Sequence, residues 1–259
     1  MEYIFSPEGK AVVERFIAED TLFVFDYDGT LTPLAAFPHE AKLGSETRKL
    51  LTALARSRPV AVITGRSVAD IRALLSGIPN LDLIGNHGAE YPGHDPNLYT
   101  AMVAEWHQLL AERLHAIPGL FIEDKRYSLS VHYRHCTDHR AAQAAVERLA
   151  PLLPGVRIVP GHKVLNLVPK EGMHKGDALL AHLLRRGLTH AIFIGDDYTD
   201  EDVFITGRGN MILSVRVGYS ERSSAAYYLQ DQSEIDALFR LLLTLTTSGW
   251  AAAAEIRGL

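Results

Sequence analysis

Apolar residues form two kinds of pattern early in the chain: short continuous runs and segments of helical spacing. The run at Thr21–Phe25 predicts a buried strand, and the spacing over Ser45–Ser57 predicts a helix with Ser45 as its N-cap. The two patterns then repeat, as strand Pro59–Ile63, helix Val68–Leu75 and strand Leu81–Ile84. Strands that alternate with helices indicate βαβ units and a mostly parallel sheet covered on both faces.

The middle of the chain follows a different pattern, which begins after the turn-rich stretch Tyr91–Pro96. Here one helix precedes two strands, and the unit then occurs a second time. The predicted elements are helix Leu98–Ala116, strands Leu120–Glu123 and Ser128–Arg134, helix Ala141–Leu149, and strands Val156–Val159 and Val164–Val168. Two such units predict an antiparallel sheet with helices on one face.

The first pattern resumes at Lys175. Its predicted elements are helix Lys175–Arg186, strands Ala191–Ile194 and Met211–Val217, and a last helix from Glu234. We therefore expect an α/β core with a parallel sheet, formed by residues 1–91 and 171–259. A small α+β domain, residues 92–170, is expected to be inserted in this core.

The composition excludes several classes of protein. One cysteine, Cys136, cannot form an internal disulfide, and no apolar run approaches the roughly 20 residues of a membrane span. The first residues carry no secretory signal pattern. With 26 basic and 31 acidic side chains the net charge is −5, and no long block of Lys and Arg occurs. We expect a cytoplasmic protein with no membrane partner and no nucleic-acid partner; the sequence does not determine the oligomeric state, although a monomer is favoured.

Polar residues follow three strands of the predicted core, and their motifs are Asp26-Tyr27-Asp28-Gly29-Thr30, Thr64-Gly65-Arg66 and Gly195-Asp196-Asp197. The carboxyl ends of parallel strands share one edge of the sheet, where functional groups gather. Carboxylates that meet there repel each other unless a cation lies among them, and oxygen ligands suit Mg²⁺. An Asp-x-Asp-Gly-Thr loop alone is also typical of a tight turn, but three matched strand ends favour a site.

These motifs, together with Lys175, occur in the order typical of the haloacid dehalogenase superfamily, which the chain resembles. Four further motifs resemble the trehalose-6-phosphate phosphatases: Gly85-Asn86-His87-Gly88-Ala89-Glu90, Ser130-Val131-His132-Tyr133-Arg134, His174-Lys175-Gly176 and Gly195-Asp196-Asp197-Tyr198-Thr199-Asp200-Glu201-Asp202-Val203-Phe204. The resemblance covers nearly the whole chain. It implies a Rossmann-like core of the haloacid dehalogenase type with an inserted cap of the C2B type.

The resemblance implies a Mg²⁺-dependent phosphatase that acts on a small-molecule sugar phosphate, most simply trehalose-6-phosphate. Asp26 would be the nucleophile that forms an aspartyl-phosphate, and Asp28 would protonate the leaving oxygen. The implied metal ligands are Asp26, the main-chain carbonyl of Asp28, Asp196 and Asp200, with Asp197 in support. The implied phosphate ligands are Thr64, Gly65, Gly29 and Lys175. A lysine at a helix start is unfavourable for structure alone, which supports a functional Lys175.

The cap is expected to contact the sugar. The expected substrate-binding residues are Arg66, His87, Glu90, His132, Arg134, His162 and Asn166, although polar surface or hinge roles stay open for them. One motif departs from the family, whose last cap strand carries Gly-Lys-x-x-x-Glu. Here Gly161 is followed by His162 and Asn166 at the positions of the Lys and the Glu. The departure leaves a related glycosyl phosphate or pseudo-disaccharide phosphate open as the substrate.

Other functions are less well supported by the residues. A phosphomutase would share Asp26, Asp28 and the metal site, and a sugar-phosphate sensor without activity would be expected to lack one of the two aspartates. The group His132, His135, Cys136 and His139 superficially resembles a zinc cluster, but strand alternation places His132 and His135 on opposite faces. No glycine-rich phosphate loop ending in Gly-Lys-Ser/Thr occurs, which argues against a kinase or NTPase.

Overall fold

The computed structural model describes residues 1–18, 20–35, 37–93, 96–161, 163–207 and 211–257. Within these residues the strands are β1 (Glu2–Tyr3), β2 (Thr21–Phe25), β3 (Val60–Ile63), β4 (Leu81–Ile84), β5 (Phe121–Asp124), β6 (Leu129–His132), β7 (Val156–Gly161), β8 (Val164–Pro169), β9 (His190–Gly195), β10 (Ile212–Val217) and β11 (Tyr227–Leu229). The helices are α1 (Pro7–Phe16), α2 (Ser45–Ser57), α3 (Val68–Leu74), α4 (Thr100–Leu114), α5 (His139–Glu147), α6 (Lys175–Arg186), α7 (Glu201–Thr206) and α8 (Ile235–Arg257).

The larger sheet is parallel, and among the described residues its strand order is β1-β11-β10-β9-β2-β3-β4. Every residue of the interior strand β2 is buried because helices cover both faces of the sheet. Phe23 and Phe25 pack in the cluster that contains apolar residues of α2 and α8. Leu22 and Val24 pack on the other face with residues of α6 and α7. The predicted α/β fold with a parallel sheet is confirmed.

The smaller sheet is antiparallel and is formed by the segment between β4 and α6, in the order β5-β6-β8-β7. Helices α4 and α5 pack on one of its faces, where Trp106 and Val146 share an apolar cluster with Leu129 and Val131. The opposite face carries polar residues of β6 and β8. The predicted order of elements is therefore present, whereas the domain boundaries at residues 92 and 170 stay a prediction.

The elements at the edge of the larger sheet were not predicted. Strands β1 and β11 pair with each other, and two or three residues are too short to reveal a strand period. Helix α1 did carry a start signal, since Ser6 is its N-cap and Pro7 its first residue.

The predicted N-cap of α2 was wrong. Gly44 occupies that position and Ser45 is the first helical residue. Serine is favoured at the N-cap, which is why the sequence indicated Ser45, but glycine is accepted there too and precedes it here. Across the described residues, no helix has both the length and the apolar character needed to cross a membrane.

Candidate active site

Three strand ends meet at the carboxyl edge of the parallel sheet. β2 lies between β3 and β9, so the residues that follow these strands are neighbours. The Asp26 amide donates to Ile194 of β9 at 2.9 Å, and the Thr64 amide donates to Ile84 of β4 at 3.0 Å. These main-chain hydrogen bonds extend the sheet into the loops and hold Asp26 and Thr64 in fixed positions.

Lys175 joins two of these loops through its side chain, which is 2% exposed. Its ammonium group donates to Asp26 Oδ1 at 2.9 Å and to Asp200 Oδ1 at 2.7 Å. The residue begins α6, where the ring of His174 accepts hydrogen bonds from the amides of Gly176 and Asp177. Because the N-cap fixes the helix start, the lysine reaches the carboxylates from a rigid element.

Asp200 organises the loop that follows β9. Its Oδ2 atom accepts hydrogen bonds from the main-chain amides of Asp196 and Asp197, each at 2.9 Å. Its other oxygen accepts from Lys175, and the residue is fully buried. All of these contacts orient the loop so that the carboxylate of Asp196 lies beside that of Asp26.

The carboxylates repel each other strongly. Burial raises the pKa of Asp26 above its usual range, against the opposing attraction of Lys175. Burial, with the negative charges of Asp26 and Asp200, raises the pKa of Asp196 well above its usual value. For Lys175, burial alone would lower the pKa, but the carboxylates of Asp200 and Asp26 outweigh it and raise the pKa. The site thus holds an excess of negative charge.

This donor set fits a hard divalent cation. Asp26, Asp196 and Asp200 each offer an oxygen, and these atoms all lie within 4.8 Å of one another. One lysine ammonium balances only one of the three carboxylates. All the ligand atoms are carboxylate oxygens, which Mg²⁺ prefers over softer metals.

At two positions of the site, a neighbouring side chain lies so close to the main chain that only glycine fits. Gly29 has a φ of +83°, and a Cβ placed on it would lie 2.1 Å from Asp196 Oδ2. A Cβ on Gly65 would lie 2.4 Å from the ring of His87. Both glycines were predicted to let the phosphate approach the main chain. In the structure they make room for Asp196 and His87, and their contact with phosphate stays a prediction.

A cavity of about 310 Å³ opens above these carboxylates, between the two sheets. Its core side includes Asp26, Asp28, Gly65, Arg66, His87, Lys175 and Asp196, and its other side consists of residues of the inserted segment: Glu123, Asp124, Lys125, Ser130, His132, Arg134, Val164 and Asn166. The cavity therefore brings together most of the residues predicted from the sequence.

Arg66 does not project freely into the cavity as a substrate ligand would. Its guanidinium donates to both oxygens of Asp28, from Nε and Nη2, at 2.7 Å each. Nη1 donates to Asp70 Oδ2, also at 2.7 Å. In this structure Arg66 therefore contacts two carboxylates, and its predicted contact with substrate stays a prediction.

Glu90 contacts neighbouring residues of the core, and its predicted contact with the substrate stays a prediction. Its Oε1 atom accepts a hydrogen bond from the Asn86 side-chain amide. Its Oε2 atom accepts one from the main-chain amide of Val68 at 2.7 Å. Val68 is the first residue of α3, so Glu90 satisfies an amide at a helix start. Among the described residues, those that line the cavity do not include Glu90.

His87 lies in the cavity wall with a φ of +55°, in the left-handed region that few non-glycine residues adopt. Burial, with the positive charges of Lys175 and Lys125, holds the pKa of His87 well below its usual value, so the ring is neutral. Among the described residues its Nδ1 atom has no hydrogen-bond partner.

The predicted sugar-binding residues of the inserted segment lie on the polar face of its sheet. His132 Nε2 contacts Glu123 Oε2 at 2.9 Å, and Arg134 Nη1 donates to Ala35 at 3.1 Å. Asn166 Oδ1 accepts a hydrogen bond from the Ser130 hydroxyl at 2.7 Å. His162 lies outside the described residues.

Sequence reasoning missed Glu123 and Lys125. The Lys125 ammonium donates to the main-chain carbonyl of Gly65 at 3.0 Å and lies 3.7 Å from Glu123. A signal was available, because Glu123 pairs with Ser130 across the antiparallel strands and residues opposite each other share a face. Ser130 lies two residues before His132, and strand alternation therefore places both on the same face.

Comparison with known proteins gives one consistent family. The trehalose-phosphatase profile matches residues 24–233. A probable trehalose-phosphate phosphatase D of Arabidopsis thaliana is 31% identical over 90% of this chain and 69% of its own length. A trehalose-phosphate phosphatase of Mycobacterium avium is 33% identical over 80% of this chain and 58% of its own length. The chain thus spans about six to seven tenths of these relatives.

A solved structure also resembles the fold. The C-terminal domain of the C. albicans trehalose-6-phosphate phosphatase superposes with a TM-score of 0.78, at 22% identity, and the match covers 91% of this chain and 97% of that one. At this identity the likeness concerns the fold.

Proposed function

The chain belongs to the trehalose-phosphatase family of phosphoric monoester hydrolases, and from this premise we propose that it hydrolyses trehalose-6-phosphate through a phosphorylated Asp26. The observation that carries the proposal is the buried Lys175, whose ammonium contacts Asp26 and Asp200 at the floor of the cavity. A fixed positive charge beside a carboxylate nucleophile suits the transfer of a phosphoryl group, because that reaction depends on positioning and charge neutralisation.

In the first half of the reaction an oxygen of Asp26 attacks phosphorus. The bond from phosphorus to the sugar oxygen breaks, and that oxygen takes a proton from Asp28. Lys175 stays near the transferred group and reduces its repulsion with the aspartates. Both carboxylates line the same cavity, as this step requires.

In the second half a water molecule gives its proton to Asp28 and attacks phosphorus. The bond between phosphorus and Asp26 breaks, inorganic phosphate leaves, and Asp26 is regenerated. Asp28 thus regains the proton that it donated to the sugar.

The proposed metal ion is Mg²⁺, held by Asp26, the main-chain carbonyl of Asp28, Asp196 and Asp200. It would neutralise negative charge on the phosphate oxygens. The support is the excess of carboxylates over ammonium groups described above. Asp200 already accepts three hydrogen bonds, so its main contribution is to orient Asp196 and Lys175.

We also propose that residues 92–170 act as a cap that determines the substrate. The polar face of their sheet forms one side of the cavity. Asn166 favours a second candidate substrate, because its oxygen is bonded to Ser130 and the position carries no carboxylate to accept sugar hydroxyls. A related glycosyl phosphate is therefore the alternative to trehalose-6-phosphate.

Release of inorganic phosphate from a panel of sugar phosphates, with and without Mg²⁺, tests the proposal. We expect Mg²⁺-dependent turnover that is fastest with trehalose-6-phosphate and is abolished by Asp26→Asn. Faster turnover of another glycosyl phosphate would favour the alternative substrate. Equal turnover by the Asp26→Asn variant would contradict the proposed chemistry.

A further inference from the structure

Arg66 uses three of its nitrogen atoms to bind two carboxylates. Nε and Nη2 hold both oxygens of Asp28, and Nη1 holds Asp70. Bidentate binding between two planar groups fixes the angle of the carboxylate as well as its distance. The orientation of Asp28 therefore depends on the orientation of the Arg66 guanidinium.

The guanidinium itself needs to be held. An arginine side chain has many rotamers, so its backbone position alone does not orient its fork. The guanidinium carbon of Arg66 lies 5.3 Å from the centre of the Tyr27 ring, which restrains one face. Asp70 binds the nitrogen that points away from Asp28 and so restrains rotation in the plane.

Asp70 in turn is fixed by the start of α3. Its main-chain amide donates to the hydroxyl of Ser67, the N-cap, and the carboxylate of Glu90 accepts from the amide of Val68. Two independent caps hold the first turn from which the Asp70 side chain projects. A continuous series of contacts thus runs from the helix start through Asp70 and Arg66 to Asp28.

We propose that Asp70 is a positioning residue: it holds Arg66, and Arg66 holds the Asp28 side chain where it faces the leaving oxygen of the substrate. To carry the proton that it donates, Asp28 gives up one of its two hydrogen bonds from Arg66 and keeps the other. The inference rests on the proposed function, in which Asp28 is the proton donor. A purely structural role does not account for the arrangement, because a partly exposed ion pair contributes little to stability. Misplacement of a catalytic group by about 1 Å, by contrast, lowers rates on the order of a hundredfold.

A series of aryl phosphates separates these roles. Dinitrophenolate leaves readily without a proton, whereas phenolate is a stronger base and needs one. The second-order constant kcat/KM reports the steps up to departure of the leaving group. A misplaced proton donor therefore lowers kcat/KM for phenyl phosphate far more than for dinitrophenyl phosphate, and steepens its dependence on leaving-group basicity. A general structural defect lowers both equally.

The experiment measures this dependence for the Mg²⁺-loaded wild type and for Asp70→Ala, Asp70→Glu and Asp28→Asn. The matched control is Glu46→Ala, since Glu46 also lies in the first turn of a helix and binds an arginine, Arg240, at 2.8 Å. We expect Asp70→Ala to lower kcat/KM for phenyl phosphate about tenfold and to leave dinitrophenyl phosphate nearly unchanged. Asp70→Glu should recover part of the loss, and Glu46→Ala should match the wild type.

Other outcomes overturn the inference in distinguishable ways. If Asp28→Asn steepens the dependence and Asp70→Ala does not, Asp70 has no positioning role and the proposed function stands. If Asp28→Asn leaves the dependence unchanged, Asp28 is not the donor and both proposals fail. If Asp70→Ala impairs only trehalose-6-phosphate and no aryl phosphate, Asp70 contacts the sugar directly.

Discussion

Gly29 follows the two aspartates of the first loop and lies directly against Asp196. Its φ of +83° is strained for any residue with a side chain, and a Cβ would overlap the Asp196 carboxylate. Gly77 has the same φ of +83°, but nothing lies within 4 Å of a Cβ placed there. The two glycines therefore separate the cost of backbone strain from the cost of displacing Asp196.

We expect Gly29→Ala to abolish phosphatase activity and Gly77→Ala to preserve it. Both variants should lose about 1 to 3 kcal/mol of stability through the strained φ. Only the first displaces a carboxylate of the proposed metal site. Thermal unfolding and initial rates at saturating Mg²⁺ provide the two measurements. Equal activity in the two alanine variants would show that the Asp196 position is unimportant.

The residues that can be predicted from sequence are those whose positions follow from the strand order. Asp26, Thr64 and Asp196 each follow a strand of one parallel sheet, so their proximity is a matter of topology. The partners of Arg66 and Glu90 depend instead on where long side chains turn. Each of these long side chains can reach more than one hydrogen-bond partner, and no local sequence pattern determines which one it contacts.

At the scale of elements, the start of helix α3 offers a test of whether Glu90 contacts the sugar, as the sequence predicts. Ser67 and Glu90 both satisfy amides of this first turn. We expect Ser67→Ala and Glu90→Ala each to lower the free energy of unfolding by about 1 to 2 kcal/mol. Neither should raise the KM for trehalose-6-phosphate. A raised KM in Glu90→Ala alone would support a direct contact between Glu90 and the sugar.

A second element contact joins the edge strand β4 to α6. Asp82 Oδ2 lies 3.0 Å from His182 Nε2 and 3.0 Å from Arg186 Nη1. The hydrogen bond from His182, with the positive charges of His182, Arg186 and Arg185, outweighs burial and holds the pKa of Asp82 below its ordinary value of 3.8. Because the carboxylate is favoured in the folded state, this contact stabilises the protein fully above pH 3.8 and is lost as the pH falls through the lower folded pKa.

We therefore expect Asp82→Asn to lower the free energy of unfolding by about 1 kcal/mol at neutral pH. The difference from the wild type should shrink as the pH falls below about 4, when the wild-type carboxyl group also becomes neutral. Urea unfolding at a series of pH values measures it. A difference that stays constant with pH would mean that the effect is not electrostatic.

Elements with clear patterns were predicted almost to the residue, whereas the shortest strands, β1 and β11, were not. β2 and α6 have the bounds expected from their apolar spacing. β11 has three residues and is stabilised by its pairing with β10 and β1, which no local pattern records. Helix α1 was missed although Ser6 and Pro7 mark its start.

At the scale of the whole molecule, the two sheets have separate apolar clusters. The second, antiparallel sheet could be predicted because the order of helices and strands changes twice along the chain. The way in which the two parts meet could not be predicted, because individual polar contacts join them and these follow no sequence pattern. Lys125 reaches Gly65, Arg134 reaches Ala35, and the Arg157 guanidinium lies 3.4 Å from Asp202. The monomeric state and the cytoplasmic location stay predictions.

The contact of Arg157 with Asp202 is suited to a test of domain closure, because Arg157 is outside the cavity lining and half of the pair comes from each part. Such polar interfaces permit relative motion of two domains. A partly exposed ion pair is worth up to about 1 kcal/mol, which corresponds to about a fivefold change in the ratio of closed to open molecules. Weakening the pair favours the open arrangement, in which the substrate contacts only one side of the cavity.

We accordingly expect Arg157→Ala to raise the KM for trehalose-6-phosphate by up to about fivefold, with little change in kcat. Salt should raise the KM of the wild type more than that of the variant, because screening removes the same attraction. Arg240→Ala is the control, since Arg240 pairs with Glu46 at 2.8 Å and joins two helices on one face of the core. If both variants have the wild-type KM and the same salt dependence, closure does not depend on this ion pair, and the contacts of Lys125 with Gly65 and of Arg134 with Ala35 must hold the two parts together.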